Sequence, residues 1–121
     1  MWVFALEGFV SVVEVRGKPD QLLVRGRSWD DVVMWRRLVC GRSRGSKIVN
    51  TPRADYPWRF VASRKKVAAA MVEAIERVHY DNFKSAVGHA DPARAEAYMG
   101  VWSEMNWFGR LKTPEGREMV R

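Results

Sequence analysis

The feature that most constrains the fold is an abrupt change of hydrophobic period at Ser63. Before it, residues 56–62 alternate as a strand does, so that Tyr56, Trp58 and Phe60 share one face. After it, apolar residues recur every three to four positions, as on one side of a helix: Val67, Met71, Ala74, Ile75 and Val78. Ser63 can cap this helix by accepting a hydrogen bond from a free N–H group. We therefore predict a strand that passes directly into a helix ending near Val78.

The first 27 residues are typical of β structure. Alternation over residues 1–6 predicts a strand, Gly8 allows a bend, and a β-branched run over residues 10–15 predicts a second strand. Residues 16–21 have the composition of a turn, and residues 22–27 form the return strand. The sequence thus predicts a hairpin or a three-stranded meander.

Two further helices carry capping signals. Ser28 precedes Asp30 and Asp31, whose charges suit the positive end of a helix, and Gly41 can supply a left-handed C-terminal cap. Asp91 with Pro92 at the first position opens the last helix, which we expect to end at Gly109. Between the helices, residues 79–87 predict a short turn, and residues 48–51 predict a short strand.

This order of elements predicts an α+β fold. We expect an antiparallel sheet of four to five strands with two to three helices packed on one face, and a ferredoxin-like variant is the nearest familiar architecture. At 121 residues the chain suits one domain, over residues 1–109, followed by a flexible charged C-terminal tail over residues 110–121.

The composition indicates in which cellular compartment we expect the protein. The single cysteine, Cys40, excludes an internal disulfide and a multi-cysteine zinc site, and we interpret it as a small buried hydrophobic residue. The N-terminal stretch lacks a basic start and meets Glu7 and Gly8 early, which is atypical of a signal peptide. Apolar runs fall short of the roughly 20 residues that cross a bilayer. We expect a cytoplasmic protein without a membrane segment, metal or cofactor.

Positive charge is concentrated in one part of the chain. The net charge is +7, and residues 16–66 contain 14 of the 21 Lys and Arg residues but only 4 of the 14 Asp and Glu residues. Such asymmetry favours a phosphate-rich partner or an acidic protein surface, and it also fits a basic surface that only keeps the protein soluble.

The start of the helix after Ser63 carries charge of the unexpected sign. Arg64, Lys65 and Lys66 oppose the helix dipole, by about 0.3–1 kcal/mol each when exposed. An anion would compensate, because free N–H groups and three cations would face it together. In the alternative interpretation, the long stems cover apolar surface and the charged ends reach water.

Other residues extend this candidate phosphate site. Arg59 lies on the preceding strand, and a Gly- and Ser-rich loop contributes Arg42, Arg44 and Lys47. Arg25, Arg27 and Arg53 would lengthen the site into a stripe, and the stripe matches no standard nucleic-acid-binding motif. Three aromatic residues are candidates for stacking on bases: Trp58, Tyr56 and Trp29. Of these, Trp58 fits the core better than a contact role.

Catalysis has weaker support. His79 and His89 are each followed two residues later by an aspartate, Asp81 or Asp91, which is a pairing that could serve acid–base or metal chemistry. Asp91 already serves as a helix cap, and the pairing matches no catalytic signature. We therefore assign no catalytic or metal-binding residue and expect no enzyme.

Four segments together resemble a family of small hypothetical proteins from actinobacteria and their phages. These segments are GFVSVVEVRGKPDQLLVRGR, ADYPWRFVASRKKVA, HYDNFKSAV and AYMGVW, and the resemblance spans residues 1–102. It implies no particular chemistry. A phage or mobile-element origin would favour a role in binding host components, while the resemblance does not extend to the GRSRGSK loop or to the tail after Trp107.

The sequence therefore predicts a small non-catalytic accessory protein that binds a phosphate-bearing ligand, either nucleic acid or a nucleotide, through its basic face. The alternative is a protein–protein module that engages an acidic host protein or self-associates. A small enzyme that uses His79 or His89 is the third hypothesis. The sequence leaves the oligomeric state open.

Overall fold

A computed structural model of the chain describes residues 1–42 and 46–112, which contain five strands and four helices. The strands are β1 (Trp2–Ala5), β2 (Gly8–Val15), β3 (Lys18–Gly26), β4 (Val49–Asn50) and β5 (Trp58–Ser63). The helices are α1 (Trp29–Cys40), α2 (Arg64–Glu76), α3 (Phe83–Ala90) and α4 (Pro92–Leu111). The chain divides into two compact units, Met1–His79 and a second that begins at Tyr80. The single domain expected over residues 1–109 thus contains two such units, and its folding as one body stays a prediction.

The first unit is an antiparallel sheet with helices on one face, which confirms the predicted α+β class. The strand order is β1-β2-β3-β5-β4, and every neighbouring pair is antiparallel. The first three strands form the predicted meander. The chain then crosses through α1 to β4 at the edge of the sheet and returns along β5, which lies between β3 and β4. A ferredoxin-like fold is built from two split βαβ units, whereas here three consecutive strands form a meander before the first helix, so the architecture is a different α+β arrangement.

The core lies between the sheet and helices α1 and α2. Sheet side chains Val10, Val12, Val24 and Phe60 pack in one cluster with Val32 and Trp35 of α1 and Val67 and Ala70 of α2. Cys40 is buried in the same cluster, as the sequence indicated. The alternation of β2, β3 and β5 therefore directs one set of side chains to the helices.

The turn between β1 and β2 is joined to α1 by buried polar contacts. Gly8 has φ +128°, and a Cβ added to it would lie 2.6 Å from Cγ of Asp31. The Asp31 carboxylate accepts a hydrogen bond of 2.9 Å from the Phe9 N–H, and Trp35 Nε1 donates to the Gly8 carbonyl oxygen at 3.0 Å. Glycine is required here because the helix approaches the turn so closely.

The predicted caps of the first unit are confirmed. The Ser28 side chain accepts from the Asp31 N–H, Gly41 ends α1 with φ 60°, and the Ser63 side chain accepts from the Lys66 N–H. Helix α2 ends at Glu76, two residues before the predicted end. The strand-to-helix junction is as abrupt as predicted, because β5 includes Ser63 and α2 begins at Arg64.

The second unit contains helices α3 and α4. The predicted turn over residues 79–87 was wrong for its second half, because Asn82 caps α3 by accepting from the Ser85 N–H. Asp91 caps α4, as predicted, by accepting from the Arg94 N–H. The ring of Phe83 stacks on that of Tyr98 with centroids 5.9 Å apart, which joins the two helices.

Helix α4 continues past its predicted end. Gly109 lies inside it, and Arg110 and Leu111, which the sequence assigned to the tail, form its last turn. A glycine weakens a helix by only about 1 kcal/mol, so it need not end one. The tail from residue 113 lies outside the described residues. Within the described residues, no helix has the length and apolar character needed to span a bilayer.

Candidate functional site

The sheet of the first unit has a second face that its own helices leave open. Pairing aligns Ser11 of β2 with Arg25 of β3, and Arg25 with Arg59 of β5. These residues alternate with the core residues, so their side chains lie on the face opposite α1 and α2. Trp2 and Phe4 of β1 pair with Ser11 and Phe9 and therefore belong to the same face.

Tyr56 lies on this open face, which corrects the predicted placement. The sequence placed Tyr56 on the same face as Trp58 and Phe60. Strand β5 begins only at Trp58, so the strand alternation does not extend back to Tyr56. Its ring instead lies 6.4 Å from the ring of Phe9, and the guanidinium carbons of Arg25 and Arg27 lie 4.8 Å and 5.6 Å from its centre.

Three arginines gather around Tyr56. Arg59 Nη2 donates to the Tyr56 carbonyl oxygen at 2.9 Å, and Arg25 Nε is 3.4 Å from the Ser11 hydroxyl oxygen. Among the described residues, Arg25, Arg27 and Arg59 form no ion pair. The Nε atom of Arg59 is buried and has no hydrogen-bond partner within that same part of the chain. The cluster therefore carries three positive charges that an anion would neutralise.

Aromatic rings continue the face beyond the arginines. Phe4 and Phe9 stack with centroids 4.4 Å apart, and Trp2 meets Phe9 edge to face at 6.3 Å. Trp2 is 66% exposed, whereas Tyr56 is only 8% exposed. Tyr56 therefore supports the guanidinium groups, and Trp2 offers an accessible ring. We call this surface the arginine–aromatic face; it comprises Trp2, Phe4, Phe9, Arg25, Arg27, Tyr56 and Arg59.

The phosphate site predicted at the start of α2 does not lie on this face, apart from Arg59. The Arg64 guanidinium bonds across to the β2–β3 hairpin, with Nη2 2.8 Å from a Glu14 carboxylate oxygen and Nε donating to the Pro19 carbonyl oxygen at 2.8 Å. Lys65 is exposed. Ser63 and Lys66 line a separate cavity of about 190 Å³ with Gln21, Cys40 and Ser46. Glu14 thus pairs with one of the three cations for which the sequence predicted an anion.

Two of the other predicted residues meet in a groove beside α1. Trp29 and Lys47 line it together with Val33, Arg36, Arg37 and Ile48, and its volume is about 370 Å³. We call it the α1 groove. Trp58 is half-buried against the core, and its ring meets that of Trp29 edge to face at 5.1 Å. Arg42 is exposed at the end of α1, and Arg44 lies outside the described residues. The residues predicted as one site are thus distributed over at least three places.

The structure describes both histidines that the sequence offered for catalysis. His79 Nδ1 is 3.0 Å from the Arg77 carbonyl oxygen, and both His79 and His89 are exposed. Over residues 1–42 and 46–112, no three His, Cys, Asp or Glu side chains are grouped as metal ligands would be.

The sequence held a usable signal for part of the arginine–aromatic face. Arg25 and Arg27 are two residues apart at the end of a predicted strand, and Arg59 is flanked by core residues on the next central strand. Trp2, Phe4 and Phe9 were missed as site residues, because an apolar strand residue does not reveal which face the helices cover. Only the pairing of β1 with β2 resolves that question.

No protein-family model matches the chain, and comparisons with curated proteins and with solved structures found no significant match.

Proposed function

We propose that this protein is a non-catalytic binding protein for single-stranded nucleic acid and that the strand lies on the arginine–aromatic face. The observation that carries the proposal is the group of three arginines that form no ion pair among the described residues, on the same sheet face as the exposed ring of Trp2. The resemblance to proteins of actinobacteria and their phages would make it an accessory protein of that setting.

The chemistry of the face suits a strand whose bases are unpaired. Guanidinium groups donate to phosphate oxygens in a planar, forked geometry, and every base has a flat surface that stacks on an aromatic ring. In a duplex the base surfaces are already stacked on one another, so Trp2 would have nothing to bind. We therefore expect single strands to bind more tightly than duplexes of equal length.

The extent of the face favours an oligonucleotide over a single nucleotide. Apart from Arg27 and Tyr56, which lie just outside the strands, its residues lie on β1, β2, β3 and β5, which are successive neighbours in the sheet. With strands about 4.8 Å apart, the face extends roughly 14 Å across the sheet. A mononucleotide would leave either the arginines or Trp2 without a partner.

The test is a fluorescence anisotropy titration with labelled strands of about 12 nucleotides, at about 50 mM and about 200 mM salt. The double variant Arg25→Gln/Arg59→Gln should weaken binding on the order of tenfold and reduce the slope of log K against log salt by about 1.4, since each lost phosphate contact on a single strand removes about 0.7.

The matched control is Lys65→Gln/Lys66→Gln, which removes two charges at the start of α2. We expect it to weaken binding less than about twofold. Equal losses in the two double variants would indicate binding by diffuse charge, and an absence of binding at low salt would refute the proposal.

A second candidate function, self-association, rests on helix α4. Five large apolar side chains in its last ten residues are exposed: Trp102, Met105, Trp107, Phe108 and Leu111. A helix that is apolar on several sides is normally covered. Sedimentation velocity at two protein concentrations tests this candidate, and Trp107→Glu/Leu111→Glu should shift any dimer to monomer. A monomer at every concentration would exclude it.

A further inference from the structure

The α1 groove has the composition of a nucleic-acid contact but lies on the helix side of the sheet. Three of its six lining residues are cationic, Arg36, Arg37 and Lys47, and Trp29 is 48% exposed at its wall. No carboxylate lines it among the described residues. The groove is therefore positive and has an accessible aromatic surface.

The groove is separated from the arginine–aromatic face by a single short strand. Strand β4 has only two residues and forms the edge of the sheet, where Val49 pairs with Arg59 and Asn50 pairs with Trp58. Val49 therefore lies beside Arg59 on the open face, while Ile48, one residue earlier, lines the groove. Both residues of β4 are exposed. A single strand of nucleic acid bound at Arg59 can therefore cross this edge of the sheet directly into the groove.

The side chains of the groove are arranged to bind a single strand of nucleic acid. Arg36 Nε donates to the Ser46 carbonyl oxygen at 2.8 Å, which holds this guanidinium at the groove wall. Arg37 and Lys47 form no ion pair among the described residues. The Trp29 ring is steadied by its edge-to-face contact with Trp58, which leaves about half of its surface accessible. Phosphates would meet Arg37 and Lys47, and a base would stack on Trp29.

We infer that the α1 groove is a second contact for the same nucleic-acid strand, which continues from the arginine–aromatic face over the β4 edge. This inference rests on the proposed function. It assigns phosphate contacts to Arg37 and Lys47 and base stacking to Trp29. Binding should therefore depend on strand length, because a short oligonucleotide fills only the face and a longer one also reaches the groove.

The experiment compares oligonucleotides of about 4 and about 12 nucleotides, with the short one measured by competition against the labelled long one. The groove variants are Arg37→Gln/Lys47→Gln and Trp29→Ala, and the matched control is Arg16→Gln/Lys65→Gln. Thermal melts establish that every variant is folded. We expect the groove double variant to weaken binding of the long oligonucleotide on the order of tenfold and to reduce the slope of its log K against log salt by about 1.4. Its affinity for the short oligonucleotide should change less than about twofold.

The outcomes separate this inference from the proposed function. Equal effects of the groove variants on both lengths, or no effect on either, would overturn the second contact. If Arg25→Gln/Arg59→Gln leaves the short strand unaffected, the proposed function itself fails. The inference would also be overturned if the control double variant weakened binding of the long strand as much as the groove double variant does.

Discussion

The guanidinium carbon of Arg25 lies 4.8 Å from the centre of the Tyr56 ring, on the sheet face opposite the helices. Arg27 approaches the same ring at 5.6 Å. Because Tyr56 is itself buried, the ring acts as a support that holds both cations at the surface. Two like charges are thereby kept close together, which is favourable only when a ring or an anion offsets their repulsion.

The support provided by Tyr56 can be tested by changing its ring. Tyr56→Leu removes two cation–π contacts, each about 0.5–1 kcal/mol, so we expect affinity for a single strand to fall between about fivefold and thirtyfold. Tyr56→Phe keeps the ring and should bind within about twofold of the parent. Equal affinities of the two variants would contradict the role of the ring, and thermal melts show whether Tyr56→Leu is still folded.

Trp2 should contribute to binding and little to stability. Its side chain is 66% exposed, so Trp2→Ala leaves no cavity, but it removes a stacking surface worth about 1–3 kcal/mol per base. Anisotropy titration should show weaker binding by about fivefold to 150-fold, with an unchanged melting temperature. Trp107, 61% exposed in the second unit, provides the matched control, and Trp107→Ala should bind as the parent does. Weaker binding by both variants would contradict the role of Trp2 as a stacking surface.

Asp31 should contribute more to the free energy of unfolding than the neighbouring Asp30 does. Asp31→Ala leaves the Phe9 N–H without its carboxylate acceptor, and a part-buried unsatisfied donor costs about 1–3 kcal/mol. Asp30→Ala, at an exposed neighbouring position, should cost less than about 1 kcal/mol through the helix dipole. Urea denaturation compares the two, and similar losses would show that the contact with the β1–β2 turn is unimportant.

Arg64 should be dispensable for nucleic-acid binding. Its ion pair with Glu14 is half exposed on both sides, so Arg64→Gln should change the free energy of unfolding by less than about 1 kcal/mol. Affinity for single strands should fall less than about twofold, because the guanidinium is directed to the β2–β3 hairpin. A tenfold loss would restore the start of α2 as the phosphate site.

Much of the fold follows from local signals, whereas the site depends on pairing. Ser28, Ser63 and Asp91 each cap the helix that they were predicted to open, since a capping side chain acts within three residues of its own position. The role of Arg64 could not be predicted, because its partner Glu14 is 50 residues away in sequence. Tyr56 was misplaced because strand alternation was extended through Pro57, where the ladder has not yet begun.

An amide ¹H–¹⁵N NMR titration of the full chain with an unlabelled single strand of about 12 nucleotides would locate the binding surface residue by residue. We predict the largest shift changes at open-face positions of the sheet, namely Phe9, Ser11, Arg25 and Arg59. The amides of Ser63 to Val67 at the start of α2 should change little. Changes confined to Ser63 to Val67, or spread evenly over all exposed basic residues, would contradict the arginine–aromatic face as the binding surface.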